Sequence, residues 1–109
     1  MDRFELQVMK LITFASESKS CSFEALKLAR QGEIDKAKEK LEESRLISHD
    51  AHKIQTELIV KETSGDKVSI SLLLIHAQDH LMNSICTREL IEEMIITYEE
   101  IKEIKGKLQ

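Results

Sequence analysis

The chain has 109 residues, with 20 acids against 16 lysines and arginines, no proline, no tryptophan and only 4% aromatics. A net charge of -4 with no basic face argues against a nucleic-acid partner, and no apolar run approaches the roughly 18 residues that cross a bilayer. One domain over residues 1–109 is expected from the length, and a Glu-, Lys-, Leu- and Ile-rich chain with three glycines is expected to be a helical bundle.

The first helix is predicted from about Asp2 to Gln31. Phe4, Val8, Leu11, Ile12, Ala15, Phe23, Leu26 and Ala29 recur there at spacings of mostly three and four. The serine-rich stretch Ser16 to Ser22 should weaken it locally, and Gly32 is a natural C-terminal cap. Asp2, Arg3 and Glu5 mixed with apolar residues do not read as a signal peptide, so a cytoplasmic location is expected. Cys21 and Cys86, far apart and outside any Cys-x-x-Cys, read as two buried free thiols.

The second helix is predicted to begin near Glu33 or Asp35, where acids suit the positive end of the helix dipole. Ala37, Leu41, Ser44, Ile47 or Ser48, Ala51, Ile54 and Leu58 give its inner face. It should end near Thr63, before the loop signal Ser64-Gly65-Asp66. Val68 to Leu72 alternates like a strand but has no strand partner anywhere else. It is read as a loop entering a third helix, with Ser69 or Ser71 as N-cap. That helix runs about 35 residues, and the whole is an all-α, up-down-up three-helix bundle.

The third helix carries more apolar surface than a lone bundle can cover. At about 100° per residue, His80, Asn83 and Thr87 fall within roughly 40° of His76 and form a narrow polar strip. Leu74, Leu81 and Ile85 lie nearly opposite, and Ile75, Met82 and Cys86 fill another flank. A helix in a three-helix bundle needs one apolar face, so copies of the chain are expected to pack around this one in closed symmetry. Asp79 falls inside the apolar flank, among Leu72, Ile75, Cys86 and Leu90. A lone buried carboxylate there is costly. Either one local hydrogen bond satisfies it, or symmetry copies share a hard cation such as magnesium.

The histidines form two pairs, His49 with His52 and His76 with His80, each on one helix face. One reading joins all four into a transition-metal site between helices, although no acid or cysteine is placed to complete it. For His49, followed by Asp50, a hydrogen-bonded surface residue is the plainer reading. A second reading makes His76 a nucleophile. A neutral imidazole can take a phosphoryl group and pass it on, and His80 one turn away can donate to the phosphoryl oxygens. A third reading is a non-catalytic helical interaction module. Phosphate loops, nucleophile elbows and His-Glu-x-x-His are absent from the sequence.

Several blocks carry a resemblance. They are Ala25-Leu26-x-x-Ala29-x-x-Gly32, Ala51-His52-x-x-Gln55-Thr56, Val68-Ser69-Ile70-Ser71-Leu72 and His76-Ala77-Gln78-Asp79-His80-Leu81-Met82. Over nearly its whole length the chain resembles the enzyme IIA component of the bacterial sugar phosphotransferase system, lactose/cellobiose family. The resemblance implies a homotrimer of three-helix subunits, nine helices in all, with His76 phosphorylated and His80 and Gln78 in support. It implies that Asp79 from three subunits meets on the axis and binds one metal ion, magnesium by chemistry. It also implies a donor, the histidine-containing phosphocarrier protein, and an acceptor, a cysteine of enzyme IIB, which serves a membrane sugar permease. The family's lactose branch has glycine after the active histidine. Ala77 here points instead to the cellobiose/chitobiose branch, lichenan-type β-glucosides included.

Overall fold

The computed structural model describes residues 2–109. It contains α1 (Arg3–Arg30), α2 (Ile34–Thr63) and α3 (Leu72–Lys107), packed up-down-up. The bundle is elongated, 63 × 24 × 19 Å.

The helix ends follow from side chains that satisfy orphan backbone groups. Asp2 caps α1 by accepting from the Glu5 amide at 2.8 Å. Ser71, rather than Ser69, caps α3 by accepting from the Leu74 amide at 3.1 Å. The start of α3 at Leu72 leaves Val68 to Ser71 as loop, as the missing strand partner required. The ends of α1 and α2 share one device. Gly32 has φ 82° and Gly65 φ 96°, and each lets the chain turn back on its helix. The amides of Gly32 and Glu33 bond to the carbonyls of Ala29 and Leu28 at 3.0 and 2.9 Å. Those of Gly65 and Asp66 bond to Glu62 and Lys61 at 3.2 and 3.1 Å. These paired bonds define Schellman caps, which favour glycine at the left-handed position. Glu33 precedes α2 with no side-chain cap of its own.

Two apolar clusters fill the bundle. One gathers Val8, Leu11, Ala15, Ala51, Ala77 and Leu81. The other gathers Ala25, Ala29, Ile34, Ala37, Ile91 and Ile95. Between them the interior is polar, with Ser18, Ser22, Ser44, Ser48 and Ser84 all buried. Here the sequence expectation needs correcting. The serine-rich stretch does not interrupt α1, and Phe23, assigned to the inner face, is 51% exposed. Ser18 and Ser22 take the core positions instead, since their hydroxyls find partners on α2. Ser44 Oγ–H donates to the Ser18 carbonyl at 2.7 Å, and Ser18 Oγ–H donates to the Ser44 carbonyl at 2.9 Å. With the Ser44 proton so used, Ser22 Oγ–H donates to Ser44 Oγ at 2.7 Å.

Ser44 is therefore the node of this polar waist. Ser44→Val should destabilise the protein by about 2–4 kcal/mol, from lost hydrogen bonds and from overpacking between two close helices. Ser44→Ala should cost about 1–3 kcal/mol, since it leaves the buried Ser22 hydroxyl without its partner. Thermal melting at fixed protein concentration checks both, and a valine variant as stable as wild type would rule out the node.

Cys21 is buried, but Cys86 is exposed, contrary to the reading of two buried thiols. Burial, with Glu43 adding to it, pushes the Cys21 thiol above its ordinary range, so it stays protonated and unreactive. Cys86 is exposed because it falls on the outward flank of α3, not toward α1 and α2.

Candidate functional site

The Ser71 cap fixes where α3 starts and so places His76 in its second turn, beyond the free amides of the first. His76 is exposed and His80 half-buried on the same face. Their Nε2 atoms lie 3.0 Å apart, and the rings meet edge to face at a centroid distance of 4.4 Å. One Nε2–H must donate and the other Nε2 accept, so the two rings hold different tautomers or one is cationic. The polar strip of the helical wheel is thus a physical pair.

The other residues singled out in the sequence do not join that pair. Gln78 faces α2, where its Oε1 accepts from Gln55 Nε2 at 2.6 Å in a part-buried contact. Two residues along a helix turn a side chain by about 200°, so Gln78 fixes the back of α3 while His76 occupies the front. Asp79 is exposed on the outward flank. Around it Leu72, Ile75, Met82 and Leu90 are 83, 57, 56 and 62% exposed. This is the unpaired apolar face that the wheel requires.

His49 and His52 line a separate groove between α2 and α3, together with Arg45, Ser48, Ile85 and Arg88. The four histidines therefore do not converge, and no group of three His, Cys, Asp or Glu side chains suited to a metal forms among the described residues of one subunit. Arg88 is a residue the sequence reading passed over. Its Nε and Nη1 are buried without a hydrogen-bond partner, and Glu92 stands 3.8 Å from Nε. Its wheel position, about 120° from His76 and toward the core, is the signal that marks it.

Fold and site define the class first. The bundle superposes on the crystal structure of the cellobiose-specific enzyme IIA from Bacillus anthracis with a TM-score of 0.92, at 41% identity over 94% of each chain. It also matches the IIA component in the solution structure of the IIA(chitobiose)–HPr complex of Escherichia coli. There the TM-score is 0.82 and the identity 40%, over 94% of this chain and 99% of that one. Such bundles are the sugar-specific IIA components of phosphotransferase systems.

The chain belongs to the family "PTS system, Lactose/Cellobiose specific IIA subunit", which it matches over residues 6–99. Among its relatives, the N,N'-diacetylchitobiose-specific EIIA component of Escherichia coli K12 is 42% identical over 101 residues, 93% of this chain and 87% of the relative.

Proposed function

We propose that this protein carries phosphoryl groups on His76, as the IIA component of a system for β-disaccharides of the cellobiose/chitobiose class. The observation that carries the reading is the exposed His76 ring with His80 Nε2 at 3.0 Å. A lone pair on the His76 imidazole attacks the phosphorus of a phosphohistidine donor, and the donor's N–P bond breaks. A cysteine thiolate of enzyme IIB later attacks the same phosphorus, forming an S–P bond and releasing His76. HPr is the donor by analogy with the Escherichia coli complex. His80 donates an N–H to the phosphoryl oxygens in place of His76, and such charge-assisted bonds are about twice as strong as neutral ones. Gln78 supports the site from behind by holding α3 on α2. The sugar class rests on Ala77 and on the chitobiose and cellobiose relatives.

The same reading makes the assembly a homotrimer around α3. Burying the exposed parts of Leu72, Ile75, Met82 and Leu90 between copies contributes about 4–8 kcal/mol per subunit, at about 1.5–3 kcal/mol for each fully exposed large side chain. One Asp79 per subunit then reaches the axis. Three carboxylates supply oxygen ligands only, a donor set that fits a hard divalent cation such as magnesium, with water completing the shell. No helix among the described residues is long and apolar enough to cross a membrane. The protein works on the cytoplasmic side, where its donor and the membrane permease's IIB partner meet it.

The test is phosphorylation by phosphoenolpyruvate and the general phosphotransferase proteins. One acid-labile phosphoryl group per subunit, located on His76 by mass spectrometry, is expected. A chain that gains none is an interaction module rather than a carrier.

A further inference from the structure

We infer that His76 and His80 also form a chelating site for a transition-metal ion, and that metal and phosphoryl group exclude one another. The binding part stands on geometry alone, while the exclusion rests on the proposed role of His76. The two Nε2 atoms are 3.0 Å apart. With metal–nitrogen bonds of about 2.0–2.1 Å, that separation subtends about 90–97° at a shared ion. Two imidazoles this close can take cis positions on a square-planar or octahedral ion, and imidazole ligands suit Cu²⁺ and Ni²⁺.

Both rings must present a lone pair, so the ring that holds Nε2–H shifts to its Nδ1–H tautomer. Neither neutral ring then releases a proton. The rings must also turn so that both lone pairs meet on one ion. This is open to them, because His76 is exposed and its partner half-buried. Water fills the remaining positions, so binding is reversible.

The other histidine pair is a poorer site. His49 and His52 share their groove with Arg45 and Arg88, and they make no ring-to-ring contact like the 3.0 Å one between His76 and His80. The metal also occupies the lone pair that His76 needs as a nucleophile. A phosphoryl group on His76 in turn removes one of the two ligands.

Isothermal titration of the full chain with NiCl₂, in a non-coordinating buffer with excess Mg²⁺ to fill the proposed Asp79 site, tests this. One Ni²⁺ per subunit is expected. His80→Gln should weaken binding at least about tenfold, as loss of metal-site support does, and a His49→Gln/His52→Gln double variant should bind as wild type does. The phosphorylated protein should bind no Ni²⁺, and Ni²⁺ at the titrated concentration should stop phosphorylation until a chelator is added. Binding that survives His80→Gln, or that disappears in the double variant, overturns the site. A wild-type chain that binds Ni²⁺ through this pair yet takes no phosphoryl group without metal defeats the carrier reading and leaves the chelate standing.

Discussion

Replacing His76 by alanine is expected to abolish phosphorylation by HPr and leave folding and assembly intact. The reason lies in what His76 touches. Its ring is exposed on α3, and its side-chain bond runs to another surface ring, His80. Removing it empties no core position. Surface substitutions of that kind change stability by about 0.5 kcal/mol or less. The loss of function should be complete, because an alanine offers no lone pair to the incoming phosphorus. His80→Ala separates nucleophile from supporter. It should slow the transfer by about a hundredfold, the typical effect of removing one preorganised donor, while the phosphoryl group stays on His76. Circular dichroism, sedimentation and mass spectrometry read the three consequences independently. A phosphoryl group on His80 or His52 in the His76→Ala protein would overturn the assignment. So would an unfolded variant, since it would make His76 a core residue.

The helix ends were the most legible part of the sequence. Asp2, Gly32, Gly65 and Ser71 each solve a local problem, an orphan amide or a left-handed turn, and a local problem is visible in a local stretch. The face of α3 was legible for a different reason. Leu72, Ile75, Met82 and Leu90 exceed what one helix of a three-helix bundle can bury, and they are exposed in the single subunit. The serine waist was not legible. Ser18 and Ser22 look like surface residues until Ser44 meets them across 26 and 22 positions of chain. Hydroxyl burial depends on that meeting, and periodicity cannot report it. The direction Gln78 takes was hidden in the same way. Its neighbours in sequence suggest an active-site residue, while Gln55, a partner on another helix, decides where it points. His76 and His80 were legible because an i, i+4 pair is a local geometry.

Asp79→Leu is expected to give a trimer at least as stable as wild type and indifferent to metal. In the subunit, Asp79 stands on a face whose large neighbours are apolar and more than half exposed. On the proposed trimer, assembly through that face would place three carboxylates together and take them from water. Each ion would then lose hydration worth several kcal/mol, which the proposed cation would offset in part. Replacing such buried ionic groups by apolar side chains of similar volume is commonly neutral or stabilising by about 1–4 kcal/mol. Leucine also extends the seam formed by Ile75 and Met82. Two melting curves separate the contributions. Wild type should lose stability when a chelator removes the cation at neutral pH, because the carboxylates then repel one another at close range. The leucine variant should melt at the same temperature with and without chelator. Sedimentation fixes the third observable, the oligomeric state. A monomeric Asp79→Leu protein would mean that the carboxylate holds subunits together by a polar contact away from any axis. A wild-type curve that ignores chelator would remove the cation but keep the apolar seam. The phosphoryl-transfer rate should change little in the variant, since Asp79 lies about 60° around α3 from His76 and it is His80 that bonds to the His76 ring. Assembly and chemistry then separate within a single turn of helix.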